Sequence, residues 1–355
     1  MEPTLAIVQG TRPEIIKNYA VVKALRQRDA SFVVLDTGQH QNDAMSKSIY
    51  RELGYEPTYR PDSPYQIGSV IDWLRDRYST LGITQVVVNG DTAASISGAL
   101  AALYKDIDVA HIEAGLRARD DLMIEERNRI MVDAIASDLF AYTAVEHHYL
   151  RENPDIRGRV HLVGNTTVDL LHEFADRLVD RPIANPYFFA TMHRKEFTDS
   201  TDRMRLVFAV LDDLSHQIAS VVFPIHPRTV DCAARAGIDL QDYPGIQFCE
   251  PFGIFDSLAH QKHALVVITD SGCIQEEAYL LRTQCVTVRN STERQLTLRH
   301  QANELTGFCK ESIVNAVRSA ITRHSEWPPI YGTPGVGNQI VDILLTKATE
   351  KVAAA

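Results

Sequence analysis

The sequence alternates from end to end between short apolar runs rich in β-branched residues and longer amphipathic runs. This alternation is typical of strand–helix units built around parallel sheets, so we predict an α/β fold with doubly wound sheets. The clearest candidate strands are Leu5–Val8, Phe32–Leu35, Gln85–Val88, Val109–Ile112, Phe188–Met192, Val221–Ile225, Leu265–Ile268 and Cys285–Val288. Most of them end directly in a polar or glycine-containing loop. Because open α/β sheets bind ligands at the carboxyl ends of their strands, we expect functional residues in these loops.

The length of the chain indicates two domains. A chain of 355 residues is too long for one ordinary core and suits two α/β domains of roughly 100–200 residues each. One boundary is predicted near Val163–Thr166. The proline and glycine content of Pro328–Gly337 marks a second change, before a final helical run at Asn338–Lys347.

Composition excludes several classes of protein. The chain is 45% hydrophobic and 23% charged, and no segment approaches the roughly 20 apolar residues of a membrane-spanning helix. A net charge of −10 argues against a nucleic-acid or membrane-surface binder, because both need clustered cations. The five cysteines form no CxxC pair and the first residues lack a basic start, so we expect a reducing, cytoplasmic setting. Because no metal-ligand spacing of His and Cys occurs, we predict no metal site.

Two strand-to-helix turns are candidate anion sites. In the first, Gly10-Thr11-Arg12-Pro13, a helix N-terminus together with Arg12 and Lys17 would attract a phosphate. The turn is neither GxGxxG nor a Walker loop, so we predict neither nicotinamide nor a P-loop site. A capped helix with solvated cations is the alternative interpretation.

The second turn runs through Asp270-Ser271-Gly272 into a helix. Backbone amides at Ser271 and Gly272 could hold a diphosphate, and Glu277, one turn later, could accept hydrogen bonds from ribose hydroxyls. An ordinary helix with an acid near its N-terminus is the alternative.

Three acids and two histidines are candidate catalytic groups. Asp91 and Glu113 each follow a strand in the same half, so their carboxylates could converge for acid and base roles; Glu125 lies close by in the sequence. Capping of helices is the alternative for Asp91 and Glu125. His193 and His226 each follow a strand in the second half, and the cations beside His193 suit a phosphate leaving group.

Taken together, these loops resemble the non-hydrolysing UDP-N-acetylglucosamine 2-epimerase family. The matching segments occur in order from Gly10 to Gly337. They are GTRPEIIK (10–17), TGQH (37–40), GDT (90–92), HIEAGLR (111–117), EERNR (125–129), VGNT (163–166), HRKE (193–196), TDSG (269–272), IQEE (274–277) and TER (292–294).

The resemblance implies a glycosyltransferase-B-like pair of Rossmann-like domains with the active-site cleft between them. Residues 1–165 and 337–355 would form the first domain, with a returning C-terminal helix, and 166–336 a UDP-binding domain. The implied catalytic residues are Asp91, Glu113, Glu125 and His193. The predicted substrate and UDP ligands are Arg12, Lys17, His226, Ser271, Gly272, Glu277 and Arg294.

The resemblance also implies a reaction without cofactor or metal, in which UDP leaves to give a glycal and then adds back. Three residues match a second, activating UDP-sugar site of the non-hydrolysing relatives, so substrate activation is a hypothesis: Gln39, His40 and Gln66. The alternatives are a 2-epimerase of a modified sugar such as a UDP-diacetamido-uronic acid, a hydrolysing 2-epimerase, and a glycosyltransferase. The family resemblance suggests a homodimer.

Overall fold

The computed structural model describes residues 4–39, 43–180 and 182–354, without side chains for 43–46 and 347–354. The chain forms two compact units: the first is Met1–Glu173 with Pro329–Ala355, and the second is Phe174–Pro328. Each unit contains one parallel six-stranded sheet with helices between successive strands. The predicted α/β class, with two doubly wound parallel sheets, is confirmed.

The elements of the first unit alternate regularly. Its strands are β1 (Thr4–Gln9), β2 (Phe32–Asp36), β3 (Ile83–Asn89), β4 (Asp108–Ile112), β5 (Asp138–Ala141) and β6 (Arg159–Leu162). Its helices are α1 (Arg12–Gln27), α2 (Asp43–Leu53), α3 (Ile67–Thr80), α4 (Ala93–Leu103), α5 (Ile124–Ile135), α6 (Ala144–Glu152), α7 (Thr167–Glu173) and, from the end of the chain, α15 (Val336–Ala354).

The second unit repeats the alternation with shorter strands. These are β7 (Tyr187–Thr191), β8 (Ser220–Pro224), β9 (Ile246–Cys249), β10 (Val267–Thr269), β11 (Cys285–Thr287) and β12 (Asn303–Leu305). Its α-helices are α8 (Lys195–Thr198), α9 (Thr201–Gln217), α10 (Pro227–Arg235), α11 (Ile254–His263), α12 (Gly272–Leu280), α13 (Gln295–Arg299) and α14 (Lys310–Thr322). Two short 3₁₀ turns cover Ala175–Leu178 and Leu240–Asp242.

Strand order determines where each sheet can bind a ligand. The first sheet has the order β2-β1-β3-β4-β5-β6, so the direction of winding reverses between β1 and β3. The second has the order β12-β11-β10-β7-β8-β9, which reverses between β7 and β10. Open parallel sheets bind ligands at the carboxyl ends of the strands at such a reversal. The loops after β1, β3, β7 and β10 are therefore the expected positions of the site residues.

Central strands are buried on both faces, as a parallel sheet covered by helices requires. Val86, Val87 and Val88 of β3 are fully buried, and so are Phe188 and Phe189 of β7. These rigid strands fix the positions of the loops that follow them.

The last helix returns to the first unit. The Asp169 carboxylate accepts hydrogen bonds from the backbone nitrogens of Gly335, Val336 and Gly337, at 2.6, 3.2 and 2.8 Å. It thereby satisfies otherwise unpaired N–H groups at the start of α15. A Cβ on Gly337 would lie 2.5 Å from the Ala20 carbonyl oxygen of α1, so only glycine permits this approach of the two helices.

All eight runs chosen as strands overlap strands of the structure, and the final helical run falls within α15. Four further strands, β5, β6, β9 and β12, were not among them. Over the residues described, no helix is both long and apolar enough to cross a membrane.

Candidate active site

Two carboxylates lie at the carboxyl ends of the neighbouring strands β3 and β4. Asp91 comes two residues after β3, and Glu113 directly follows β4. One nitrogen of Arg129, Nη2, lies 2.5 Å from Asp91 Oδ2 and 2.9 Å from Glu113 Oε1. Arg129 extends from α5 and is fully buried, whereas 18% of the Asp91 side chain is exposed. The structure thus brings together two of the three predicted acids, and Asp91 is the more accessible of the two.

Glu113 is held by further donors. Its Oε2 accepts hydrogen bonds from the Lys17 ammonium and from the Tyr142 hydroxyl, the latter at 3.3 Å. The Lys17 and Glu113 side chains are both buried. The backbone of Glu113 has φ +68°, a left-handed conformation that costs a non-glycine residue about 1–3 kcal/mol. Such strain persists only where the surroundings impose it, so the position of this carboxylate is fixed.

Glu14 joins the starts of two helices. Its Oε2 accepts hydrogen bonds from the backbone nitrogens of Gly10 and Thr11, both at 2.9 Å. Its Oε1 accepts from the hydroxyls of Thr92 and Ser95 at 2.6 and 2.9 Å. Burial raises the pKa of Glu14 to about 7, although these hydrogen bonds act to lower it. A carboxyl group that titrates near neutral pH therefore connects the loops after β1 and β3.

Other predicted residues of the first unit lie at helix starts. Arg12 is the first residue of α1, and Glu125 lies in the first turn of α5, four residues before Arg129; both are half-buried. Gln39 Oε1 accepts a hydrogen bond from the backbone nitrogen of Ala94 in α4, at 2.9 Å. Gln66 is exposed and precedes α3.

His40, one of the residues predicted for a second UDP-sugar site, lies outside the described residues.

The two predicted histidines lie side by side in the second unit. His193 follows β7, and its backbone nitrogen donates to Asp270 Oδ2 at 2.9 Å, as that of Arg194 does at 2.8 Å. The His193 side chain is 44% exposed, and its Nδ1 lies 3.5 Å from Asp270 Oδ1. His226 caps α10 by accepting at Nδ1 from the Arg228 backbone nitrogen, and its ring centroid lies 6.1 Å from that of His193. An exposed imidazole thus lies at the reversal point of the second sheet.

The second predicted anion site is the start of α12. Ser271 immediately precedes this nine-residue helix, whose first backbone N–H groups have no partner within the helix. A Cβ on Gly272 would lie 2.4 Å from Glu293 Oε1, so a glycine is required there. Glu277, one turn later, is half-buried, and its Oε2 accepts from Gln261 Nε2 at 2.6 Å. The arrangement is suited to holding an anion at Ser271 and Gly272.

Buried ion pairs support this helix. Arg294 lies with its Nε 2.5 Å from Glu276 Oε1 and its Nη1 3.4 Å from Glu293 Oε1. Arg289 Nη1 lies 3.2 Å from Glu293 Oε2, and all four side chains are buried. Arg294, a predicted ligand of the UDP-sugar, thus contacts acids beside the start of α12.

Comparison with known proteins places these features in one family. The family model for UDP-N-acetylglucosamine 2-epimerase matches residues 23–345. The chain belongs to the UDP-N-acetylglucosamine 2-epimerase family. The resemblance inferred from the ordered motifs is therefore confirmed.

Relatives of this epimerase-family chain match over nearly their full length. A UDP-N-acetylglucosamine 2-epimerase of Methanocaldococcus jannaschii is 34% identical over 366 residues, covering 96% of this chain and 98% of that protein. A UDP-2,3-diacetamido-2,3-dideoxy-D-glucuronate 2-epimerase of Pseudomonas aeruginosa is 32% identical, covering 94% and 97%. The crystal structure of M. jannaschii UDP-GlcNAc 2-epimerase in complex with UDP-GlcNAc and UDP matches with a TM-score of 0.89 at 33% identity, covering 97% of this chain and 99% of that one. The glycosyltransferase-B-like pair of Rossmann-like domains is confirmed.

Sequence reasoning did not single out several buried polar residues around Asp91 and Glu113 in this epimerase-family chain. Arg129, His111 and Asp133 are fully buried, although arginine and aspartate usually lie at the surface. Two of them belong to the matching segments HIEAGLR and EERNR, and that membership was the available signal. Within the described part of the chain, no group of three or more His, Cys, Asp or Glu side chains is arranged to hold a metal ion.

Proposed function

We propose that this chain interconverts UDP-N-acetylglucosamine and UDP-N-acetylmannosamine without hydrolysing them. The observation that carries the proposal is the pair Asp91 and Glu113, which share Arg129 at the carboxyl edge of the first sheet. Membership of the family, and relatives named for this reaction that align over nearly their whole length, support it further.

The chemistry requires UDP to leave before the C2 proton does. No carbonyl adjoins C2 in the sugar ring, so direct removal of this proton at neutral pH would be very slow. Departure of UDP from C1 leaves an oxocarbenium-like centre, which makes the C2 proton labile. Loss of the proton gives a glycal. Reprotonation on the opposite face and return of UDP give the epimer with no net redox change.

The residues of the first unit suit the sugar part of this reaction. Asp91 is the leading candidate for the C2 base, because its carboxylate is partly exposed whereas that of Glu113 is buried against Lys17 and Arg129. Glu113 would stabilise the developing positive charge, and Glu125 is a further carboxylate for this role.

The nucleotide would be bound by residues at strand ends and helix starts. Backbone N–H groups at Ser271 and Gly272 are suited to the diphosphate, and Glu277 to the ribose hydroxyls. His193, exposed at the reversal point of the second sheet, is the candidate acid for the departing UDP. Four cationic or titratable side chains are further candidates for phosphate contacts: Arg12, Lys17, His226 and Arg294.

A modified sugar is the second candidate substrate, because the P. aeruginosa relative is named for a diacetamido glucuronate. An extra carboxylate on the sugar would need a cation. Arg117 is already engaged: its Nη2 lies 2.6 Å from Asp133 Oδ2 and its guanidinium lies over the Tyr149 ring. This arrangement makes Arg117 a poor candidate for that cation.

The decisive experiment is proton NMR of the purified protein with UDP-N-acetylglucosamine in deuterium oxide. UDP-N-acetylmannosamine carrying deuterium at C2 would support the proposal. Free N-acetylmannosamine and UDP would assign the chain to the hydrolysing branch instead. If UDP-N-acetylglucosamine binds without reacting while a UDP-diacetamido-uronic acid epimerises, the modified sugar is the true substrate. If the protein only transfers the sugar to an acceptor, it is a glycosyltransferase.

The same assay tests the role of Asp91. Asp91→Asn should abolish deuterium incorporation at C2 with UDP affinity nearly unchanged, because the amide cannot take the proton. Asp121→Asn, in the exposed segment before α5, is the control and should behave as wild type. Full incorporation by Asp91→Asn would transfer the role of base to Glu113 or Glu125.

We also propose that a second UDP-sugar molecule activates the enzyme. Gln39, in the loop after β2, accepts a hydrogen bond at the start of α4, the helix that follows Asp91, which gives a physical route from an activator site to the reacting loop. Sigmoidal dependence of velocity on substrate would support activation at a site including Gln39, His40 and Gln66, whereas a strictly hyperbolic curve would contradict it. The homodimer and the cytoplasmic location stay predictions.

A further inference from the structure

A buried histidine bridges a carboxylate and a peptide carbonyl in the first unit. His111 belongs to β4 and Asp133 to α5, and both side chains have 0% exposure. His111 Nδ1 lies 2.7 Å from Asp133 Oδ1. His111 Nε2 lies 2.8 Å from the carbonyl oxygen of Gly90.

The partners determine where the protons are. A carbonyl oxygen only accepts, so His111 Nε2 carries a hydrogen. Asp133 Oδ2 accepts from Arg117 Nη2 at 2.6 Å and from the Gly115 backbone nitrogen at 3.2 Å. Burial acts to raise the pKa of Asp133, but the hydrogen bonds and charges of His111 and Arg117 together hold it below its usual value. An ionised carboxylate also only accepts, so His111 Nδ1 carries a hydrogen as well.

The carbonyl that His111 binds belongs to the peptide bond between Gly90 and Asp91. The next carbonyl, that of Asp91 itself, accepts from Asn128 Nδ2 at 2.9 Å. Asp91 Oδ2 lies 2.5 Å from Arg129 Nη2. Helix α5 supplies Asn128, Arg129 and Asp133. Asn128 and Arg129 contact Asp91 directly, and Asp133 acts on the Gly90–Asp91 peptide through His111. A single helix thus controls both peptide planes beside Asp91 and its carboxylate.

We propose that His111 and Asp133 are positioning residues that hold the Gly90–Asp91 peptide, so that the Asp91 carboxylate stays beside Glu113 on Arg129. The inference rests on the proposed reaction and on the part of Asp91 in it. Neither residue touches the reacting atoms in this scheme. Their effect is on the placement of Asp91, and a displacement of about 1 Å can lower a rate about 100-fold.

Two amide replacements separate the two bonds of His111. The amide nitrogen of Gln reaches the position of Nε2 and can donate to the Gly90 carbonyl, whereas that of Asn reaches only the position of Nδ1, towards Asp133. His111→Asn should lower kcat about 100-fold with KM nearly unchanged, and His111→Gln should lose no more than about 10-fold. Equal losses in both variants, or an unchanged kcat in His111→Asn, would overturn the proposal.

Two further measurements apply if a His111 variant fails to fold. Asp133→Asn keeps the shape of the side chain and removes its charge, and it should lower kcat with KM nearly unchanged; wild-type kinetics in this variant would overturn the proposal. Nitrogen-15 NMR of the wild-type protein should show a hydrogen on His111 Nε2, as its bond to the Gly90 carbonyl oxygen requires, and an unprotonated Nε2 would overturn the proposal. Because the NMR result does not depend on turnover, its outcome is distinct from failure of the epimerase assay itself.

Discussion

Arg129 places one nitrogen, Nη2, 2.5 Å from Asp91 and 2.9 Å from Glu113. A buried guanidinium shared by two carboxylates couples their positions as well as their charges. Lys17 gives Glu113 a second cation. The two cations match the two carboxylate charges, which offsets the cost of removing them from water.

Arg129→Lys should therefore impair the reaction more than it impairs binding. Lysine keeps the charge but lacks the planar, forked donor geometry of arginine. We expect kcat to fall about 100-fold with UDP affinity by calorimetry nearly unchanged. The matched control is Arg127→Lys. Arg127 lies on the exposed side of α5, and its identified hydrogen bond is to the backbone carbonyl oxygen of Asp121. The kcat of this variant should stay within about two-fold of wild type. A normal kcat in Arg129→Lys would mean that the shared contact has no part in catalysis.

Glu14 should make stability depend on pH below neutrality. Folding raises its pKa from 4.5 to about 7, so the folded state binds this proton more tightly than the unfolded state does. Its contribution to the free energy of unfolding is complete below about pH 4.5 and is lost as the pH rises to about 7, a total of about 3 kcal/mol. Glu14→Gln should remove this fall, as measured by chemical denaturation between pH 4.5 and 8.

The matched control for Glu14 is Glu146→Gln, a change in the capping box of α6. It should retain the wild-type pH dependence. An unaltered slope in Glu14→Gln would show that another group is responsible.

Gly272→Ala tests the proposed diphosphate site. The added Cβ would lie 2.4 Å from Glu293 Oε1, and Arg289 and Arg294 hold that carboxylate, so the start of α12 must shift. We expect UDP affinity to fall about 10-fold, equivalent to about 1.4 kcal/mol. Gly68→Ala in α3, where the Cβ meets no atom within 4 Å, is the control and should bind UDP normally. Wild-type affinity in Gly272→Ala would place the diphosphate elsewhere.

Asp169→Ala should destabilise α15 without altering the candidate catalytic groups. Three backbone nitrogens at 335–337 would lose their acceptor, and loss of a helix cap costs about 0.5–2 kcal/mol. Thermal unfolding should show a lower Tm. Asp342→Asn, which alters an exposed pair with Arg28, should change stability by less than about 1 kcal/mol. Equal Tm values for the two variants would contradict the capping role.

The sequence revealed strands where apolar runs were long enough to stand out. β3 carries three consecutive valines, and the strand-end rule then placed Asp91 at a carboxyl edge. β12 (Asn303–Leu305) has only three residues, two of them polar, and β6 (Arg159–Leu162) is half-exposed. Both are strands because a neighbouring strand offers its hydrogen bonds, and such pairing depends on distant parts of the chain.

The site shows the same limit. Asp91 and Glu113 were found because each follows a strand, but Arg129 lies inside a helix, where an arginine is ordinarily solvated. Only its burial between the ends of β3 and β4 distinguishes Arg129 from an ordinary solvated arginine. Arg294 illustrates the converse: its motif predicted a ligand contact, and the structure adds buried ion pairs with Glu276 and Glu293 that spacing along the chain does not encode.

The cap on α15 has a consequence for synthesis on the ribosome. The first unit is built from residues that precede and follow the second unit, so its sheet emerges early, yet the helix that covers α1 at Ala20 emerges only after the whole second unit has been translated. Until then the nascent first unit exposes that face of α1 and leaves Asp169 without the backbone it caps. A premature stop codon just before α15 would therefore damage the part of the protein that was made first.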